Sequence, residues 1–234
     1  MRRFYTDAKN INGDILTFSQ EESNHITRVL RLLKGDRIIA CCGDGIDLEC
    51  ILEECSKQCV AKIERRQKNL NEPECQLVLF QSIIKNEKMD YAVQKATEIG
   101  VSRIVPFTSE RTVVKVDAKA KSKAEHWQKV ALEACKQCGR AKFPVVDEPC
   151  SFSEAIEKLK QFDQKIIAYE DEKTVSIDTA VKPSASCAYV IGPEGGFSQN
   201  EHKALIESGA QSVSLGKRIL RAETAAVVCG AGIL

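Results

Sequence analysis

Residues 188–201 read AYVIGPEGGFSQNE, and this stretch decides the fold of the chain. An apolar run ends at Gly192, a glycine-rich loop follows, and Ser198 with Glu201 has the spacing of a capping box that begins a helix. Strand, loop and helix in this order form the repeating unit of a parallel α/β sheet. Glycines after a strand let the backbone approach a ligand closely, but a simple tight turn has the same composition. The loop by itself is compatible with either role.

The same alternation continues on both sides of this loop. Predicted strands fall at residues 76–80, 103–107, 165–169, 188–191 and 211–215. Predicted helices cover residues 89–99 and 119–138, a stretch capped by Ser151 and Glu154, and an apolar segment from Ala222 onward. Strands that alternate with helices in this way predict a parallel sheet with helical crossovers.

The first 70 residues have a different pattern. Short strand-like runs are separated by turns such as Lys34-Gly35-Asp36, which is the spacing of a small barrel or sandwich. Ser19 with Glu22 predicts a capped helix that reaches about residue 30. Residues 68–74 form the predicted linker, because asparagine and proline are frequent there. We therefore predict one domain over residues 1–70 and a second over residues 74–234.

Composition places few limits on the class of protein. The chain has 234 residues, 43% of them hydrophobic, and no apolar run approaches the roughly 20 residues of a membrane helix. Its start does not read as a signal peptide, so a cytoplasmic location is expected. The 11 cysteines, an odd number without an export signal, are predicted to be reduced thiols. Cys135 and Cys138 have metal-site spacing, but they lie in a predicted helix without a second pair, and no metal is expected.

Positive charge is concentrated in one segment, although the net charge of the chain is only +1. Residues 111–142 contain nine Lys or Arg residues against three acidic ones. Such an asymmetry is typical of a surface that faces phosphates, and a solvated helix face accounts for it nearly as well.

A second segment of interest is the basic loop before the last helix. Gly216-Lys217 lacks the other residues of a phosphate-binding Walker loop, and the chain has no G-x-G-x-x-G motif, so a phosphate-anchored cofactor is not indicated. An adenine-containing cofactor held by backbone contacts remains open. Arg221 and Glu223 follow in the same loop, where the arginine could pair with the glutamate as a structural bridge or meet an anionic substrate.

Several long stretches taken together are more specific than any single motif. They are VIGPEGGFS (190–198), SLGKRILRAETAA (214–226), QSIIKNEKMDYAVQKATEIGV (81–101), SERTVVK (109–115), HWQKVALEACKQCGRAKFPVV (126–146), and the N-terminal RRFY and HITRVLRLLKGD (25–36). In these stretches the chain resembles the ribosomal RNA small subunit methyltransferase E family of the SPOUT superfamily. Ala222 and Cys138 depart from the pattern, since the family usually has threonine and serine there.

The resemblance implies a fold, a cofactor and an activity. The implied fold is α/β, with a small N-terminal PUA-like β-barrel before a SPOUT domain whose parallel sheet contains a deep trefoil knot within about residues 188–228. The implied activity is methyl transfer from S-adenosylmethionine to N3 of a uridine in 16S rRNA, in the assembled small ribosomal subunit, by a homodimer without a metal. Carried over by motif, the cofactor-binding residues are Tyr169, Glu170, Gly192, Glu194, Gly195, Gly196, Leu215, Gly216, Arg218, Ile219 and Leu220.

Roles in catalysis and RNA binding follow from the chemistry of that reaction. Uracil N3 becomes nucleophilic as its proton leaves, so we predict that Arg221 stabilises the developing anion and that Glu223, or a water it orients, is the base. The predicted RNA-binding residues are Arg2, Arg3, Arg28, Arg31, Arg111, Lys115, Lys119, Lys121, Lys123 and Arg140. The alternatives are another SPOUT methylation such as ribose 2′-O methylation, and a non-catalytic RNA-binding adenosine sensor.

Overall fold

The computed structural model describes residues 1–113 and 120–234, and this part of the chain divides into two compact units. One unit comprises Met1–Glu72 together with Cys135–Phe143, and the other comprises Pro73–Ala134 together with Pro144–Leu234. The predicted RNA-binding residues Lys115 and Lys119 lie outside the described residues. The segment 135–143 therefore packs with the N-terminal unit, although it lies far from it in sequence.

The N-terminal unit is built on a sheet in the order β1-β4-β5-β6-β3-β2, in which β1 is parallel to β4 and the other neighbours are antiparallel. Phe4, Leu16, Ile38 and Leu52 are buried at its core and hold the sheet together by removing apolar surface from water. The strands are β1 (Arg2–Tyr5), β2 (Ile11–Asn12), β3 (Ile15–Thr17), β4 (Arg37–Cys41), β5 (Ile46–Glu54) and β6 (Val60–Lys68).

The predicted helix after Ser19 is only partly regular. Helix α1 (Gln20–Asn24) begins where the Ser19 side chain accepts a hydrogen bond from the Glu22 backbone. The carboxylate of Glu22 contacts Lys136 and His25, so the predicted capping box is half formed. A π-helical turn over His25–Val29 continues the chain. Arg31 then adopts a φ of +54°, a backbone angle that residues other than glycine rarely take.

Buried ion pairs stabilise the N-terminal unit, and one of them involves the segment 135–143. The Arg140 side chain donates to Glu72, with Nη2 at 2.9 Å from Oε2, and Glu72 also accepts from the backbone of Ala141 and Lys142. Nearby, both terminal nitrogens of Arg3 donate to Asp47, at 2.6 and 3.0 Å. Because these charges are largely buried, removing one partner of either pair should cost several kcal/mol, on the order of 3 to 5.

The C-terminal unit has a parallel sheet in the order β10-β8-β7-β12-β11-β13, with β9 added beside β8. Its strands are β7 (Gln76–Ser82), β8 (Arg103–Thr108), β9 (Val145–Val146), β10 (Cys150–Ser151), β11 (Gln164–Ala168), β12 (Ser186–Ile191) and β13 (Gln211–Val213). Its helices are α2 (Asn86–Ile99), α4 (Phe152–Leu159), α5 (Ile177–Ala180), α6 (Gln199–Glu207), α7 (Ala222–Ile233) and α3 (Ala120–Cys138), of which residues 135–138 belong to the N-terminal unit.

Helices cover both faces of this sheet. Along β7, Leu77 and Leu79 join the core beneath α2 and α7, whereas Val78 and Phe80 join the core beneath α4 and α6. This alternation is the period-2 pattern of a strand buried on both faces. The predicted α/β class with a parallel sheet is confirmed, as are the capping boxes at Ser151 and Ser198. The trefoil knot stays a prediction.

Candidate active site

The site lies where neighbouring strands of the parallel sheet end. Strands β12, β11 and β13 are adjacent, and their register places Ile167 beside Val190 and Ala168 beside Val213. The loops after these strands therefore meet at one edge, where open α/β sheets bind their ligands. Together with a lysine of α2 they line a cavity of about 430 Å³.

Every residue that the sequence predicts to bind the cofactor lines this cavity, and so does Arg221. The complete lining is Lys88, Ala168, Tyr169, Glu170, Lys173, Ile191, Gly192, Pro193, Glu194, Gly195, Gly196, Phe197, Ser214, Leu215, Gly216, Lys217, Arg218, Ile219, Leu220, Arg221, Ala222 and Ala225. The structure thus gathers loops that are distant from one another in the sequence into one cavity.

The glycine-rich loop has little room for side chains. Gly196 adopts a φ of +67°, and a Cβ placed on it would overlap the carboxylate of Glu170. A Cβ on Gly192 would lie 3.2 Å from the ring of Phe197, which packs in the core below. The loop is therefore a cradle whose backbone is exposed to the cavity, and Gly196 is its most constrained position.

Tyr169 forms another wall of the cavity. Its ring stacks on His202 of α6, with ring centroids 3.8 Å apart and an interplanar angle of 12°. Nε2 of His202 lies 2.7 Å from Oγ of Ser212, and this hydrogen bond fixes the imidazole beneath the tyrosine. Burial, helped by the negative charge of Asp171, raises the pKa of Tyr169, so the phenol is neutral at physiological pH. His202 supports the cavity wall, a role that the sequence did not reveal.

Glu194 is held at the mouth of the cavity by the start of α2. Its Oε1 accepts from the Lys85 backbone and from Lys88 Nζ, both at 3.4 Å. Partial burial alone would raise the pKa of Glu194, but hydrogen bonds from its own backbone and from Lys85, with the charge of Lys88, hold that pKa below its usual value. Glu194 is therefore ionised at neutral pH. Lys88 was missed in the sequence because its partner is 106 residues away.

Arg221 is the N-cap residue of α7, and its side chain is exposed at the cavity. Across residues 1–113 and 120–234, its guanidinium makes no hydrogen bond or ion pair, and none joins it to Glu223. The structural bridge considered from the sequence is therefore not formed. Residues two apart at the start of a helix point in different directions, which explains why these side chains do not meet.

Glu223 lies apart from the residues that line the cavity. It occupies the first turn of α7, where a negative charge interacts favourably with the helix dipole. Its Oε2 is buried and has no hydrogen-bond partner within the described part of the chain. Its role as a base stays a prediction, and the carboxylates that line the cavity are those of Glu170 and Glu194.

The predicted RNA-binding residues fall into distinct groups. Arg3 and Arg140 are taken up by the buried ion pairs of the N-terminal unit, so their charges are not available at the surface. Arg111 donates to the carbonyl oxygen of Gly195 in the cavity loop, at 2.8 Å. Lys123 is half-buried on α3. The exposed members of the set within the described residues are Arg2, Arg28, Arg31, Arg111 and Lys121.

Cys135 of α3 has the character of a structural thiol. Burial raises the pKa of Cys135 to about 12, so its thiol stays protonated at neutral pH.

Within residues 1–113 and 120–234 there is no group of three or more His, Cys, Asp or Glu side chains arranged to hold a metal. Nor does any helix in those residues have the length and apolarity to cross a bilayer.

Comparison with known proteins gives the chain a family. Residues 71–233 match the RNA methyltransferase domain, and residues 18–64 match the RNA methyltransferase PUA domain. A relative from Bacillus subtilis, named ribosomal RNA small subunit methyltransferase E, is 35% identical over 96% of this chain and 93% of its own length. Another of the same name, from Mesomycoplasma hyopneumoniae, is 34% identical over 97% of this chain and 96% of its own.

Solved structures agree with this assignment. The crystal structure of a ribosomal RNA small subunit methyltransferase E from Neisseria gonorrhoeae, bound to S-adenosyl methionine, has a TM-score of 0.90 and 31% identity, over 99% of this chain and 95% of that one. A putative methyltransferase from Legionella pneumophila, in complex with the bound cofactor SAM, has a TM-score of 0.88 and 31% identity, over 99% of this chain and 96% of that one. The chain belongs to the ribosomal RNA small subunit methyltransferase E family.

Proposed function

We propose that this chain transfers a methyl group from S-adenosylmethionine to N3 of a specific uridine in 16S rRNA of the small ribosomal subunit. The observation that carries the proposal is the cavity formed by the loops after β11, β12 and β13, in a chain of this family. Relatives of the family are named for methylation of small-subunit rRNA, and two related structures contain the cofactor.

The residues of the cavity fit this cofactor. The exposed backbone of Gly195 and Gly196 and the apolar side chains of Leu215 and Leu220 suit an adenosine without phosphates. The carboxylates of Glu170 and Glu194 complement its positive sulfonium and ammonium groups. When bound, S-adenosylmethionine supplies the electrophilic methyl group.

The side chains of this protein act on the uracil. Negative charge spreads onto O2 and O4 as the N3 proton leaves, and a fixed donor aimed at this charge lowers the barrier. Arg221 suits that role because it is at the cavity and its guanidinium is not engaged by another described side chain. The target uridine must be unpaired or flipped out of its stack to enter.

Glu223 is the proposed base, acting directly or through an oriented water. Its buried Oε2 has no hydrogen-bond partner among the described residues and can therefore accept a hydrogen bond from such a water. The pH profiles of single-turnover rates for Glu223→Gln, Glu170→Gln and Glu194→Gln identify the base. Loss of the acidic limb in Glu223→Gln alone supports the assignment, and its loss in one of the other variants transfers the role to that residue.

RNA affinity is proposed to arise partly from the basic segment around the start of α3. Reversing Lys119, Lys121 and Lys123 to glutamate should weaken RNA binding and flatten its salt dependence, by about 0.7 to 0.9 in slope for each phosphate that is no longer neutralised. Fluorescence anisotropy at several salt concentrations measures both quantities. The matched control reverses Lys160, Lys182 and Lys203, which changes net charge equally; an equal loss of affinity in the control would refute a specific surface.

The biological setting is part of the same proposal. We place the enzyme in the cytoplasm, acting as a homodimer on assembled small subunits, with the N-terminal PUA domain holding RNA by its phosphates. The domain bounds 1–70 and 74–234, and the knot within residues 188–228, belong to this proposal too.

Single-turnover methylation tests the function directly. Small ribosomal subunits that lack the modification are incubated with the chain and labelled S-adenosylmethionine, and the rRNA is digested for nucleoside mass spectrometry. The expected product is N3-methyluridine at one position. A 2′-O-methylated nucleoside would contradict the proposed site of transfer. Binding of cofactor and RNA without any methyl transfer would instead favour the adenosine sensor.

A further inference from the structure

A short turn after β8 lies against the glycine-rich loop of the cavity. The turn covers residues 109–112 and is closed by Thr112, whose backbone donates to Ser109 O at 3.0 Å and whose hydroxyl accepts from Ser109 N at 2.8 Å. The buried Ser109 hydroxyl also bonds to Ser82 Oγ at 2.8 Å. The shape of the turn therefore depends on hydroxyl groups and not on the side chain of Arg111.

This turn holds the glycine-rich loop at both ends. Arg111 Nη1 donates to Gly195 O at 2.8 Å. At the other end, the buried Glu201 carboxylate accepts from Glu110 N at 2.7 Å through Oε1 and from Ser198 N at 3.0 Å through Oε2. Glu201 thus caps α6 and joins the turn to the loop at the same time.

The contact at Gly195 fixes one particular peptide plane. Because a peptide group is planar, the carbonyl of Gly195 and the N–H of Gly196 turn together. Arg111 binds that carbonyl, and the N–H donates to Pro193 O at 3.0 Å. The plane leads directly into Gly196, whose φ of +67° shapes the cradle.

We infer that Arg111 is a positioning residue for the cofactor, because it preorganises the Gly195–Gly196 peptide of the cavity. It takes this role in place of the RNA contact that the sequence had predicted for it. The inference rests on the proposed function, because it takes S-adenosylmethionine as the ligand of this loop. A loop already held in its binding conformation loses less entropy when the ligand binds, so the contact contributes to affinity.

The test compares Arg111→Met with a matched control from the same part of the sheet. Methionine keeps an aliphatic side chain of about the same length as the methylene chain of arginine, and it lacks the N–H donors of the guanidinium. Arg103 is the control, since it begins β8 but pairs with Asp147, at 2.9 and 3.1 Å. By calorimetry on the full chain, R111M should bind S-adenosylmethionine about tenfold more weakly. R103M should bind it normally, and R111K should recover part of the affinity because an ammonium also donates to a carbonyl.

Hydrogen exchange provides a readout that does not depend on cofactor. The amides of residues 192–198 should exchange faster in R111M than in the wild type, and unchanged exchange would overturn the inference. A second result would also overturn the inference: R111M binds cofactor normally, and the salt dependence of its RNA affinity falls by about 0.7 to 0.9 in slope. Arg111 would then be a phosphate contact. If the wild type itself fails to bind S-adenosylmethionine, the proposed function fails, and loop exchange in R111M still decides whether the turn holds the loop.

Discussion

Replacing Arg221 with alanine is expected to slow the methyl-transfer step by about 10² to 10³, the usual effect of removing one donor that stabilises a developing oxyanion. The guanidinium is at the cavity and makes no ion pair within the described residues, so the melting temperature should barely change. Cofactor affinity should change far less than the rate. Single-turnover methylation, calorimetry and thermal melting on the same preparation measure the three quantities.

Two further variants make the Arg221 experiment specific. Lysine at position 221 should restore only part of the rate, because a point charge does not reproduce the planar fork of a guanidinium. Arg218→Ala, measured at saturating S-adenosylmethionine because Arg218 is itself a predicted cofactor-binding residue, is the matched control, since Arg218 is an exposed arginine of the same loop and lines the same cavity. A stable Arg221→Ala enzyme with a near-normal rate would remove Arg221 from the mechanism. If Arg218→Ala were equally slow, the effect of Arg221 would be explained by the positive charge of the loop in general and not by a specific contact.

Replacing Gly196 with valine is expected to weaken S-adenosylmethionine binding by about 10- to 100-fold, because valine would strain the backbone of the loop and would also collide with a neighbouring side chain. A β-branched residue at a φ of +67° is strained by roughly 1 to 2 kcal/mol, so the free loop relaxes away from the cradle conformation and cofactor binding has to restore it. The added Cβ would also displace the carboxylate of Glu170. Each 1.4 kcal/mol is about tenfold in affinity. Calorimetry on the folded variant measures the change in affinity.

The control for Gly196 separates backbone strain from the cavity. Gly209 has a φ of +88° and lies outside the cavity lining, so Gly209→Val should lower stability and leave cofactor affinity unchanged. A double-mutant cycle with Glu170→Ala and Gly196→Ala should show coupling, because the two side chains would compete for one space. Unchanged affinity in a folded Gly196→Val protein would place the cofactor elsewhere.

The local elements of the C-terminal unit could be predicted from the sequence with good accuracy. The capping boxes at Ser151 and Ser198 form as expected, because each needs only residues three apart. Strand β12 and helix α7 begin or end within a few residues of their predicted bounds, since apolar runs and small-residue helices are local patterns. The prediction for the helix after Ser19 was less accurate, because its second half closes as a π-helical turn.

Arg221 and Glu223 illustrate where sequence proximity misleads. The sequence suggested that they could form a pair, since they are two residues apart in a basic loop. The start of α7 falls between them, and residues two apart at a helix start do not face each other. Arg140 illustrates the opposite case: the sequence placed it on a basic surface, but Glu72, 68 residues away, pairs with its charge in a buried position.

The sequence by itself determined the class of fold, the family, and the loops that line the cavity, because these depend on local periodicity and on motifs a few residues long. Only the tertiary structure decided which side chains share a site. The sheet order β12-β11-β13 places the loops together, and the contacts of Glu194 with Lys88 and of Gly195 with Arg111 span 106 and 84 residues. Such partners are chosen by packing, because residues so far apart in the chain meet only after the sheet has formed.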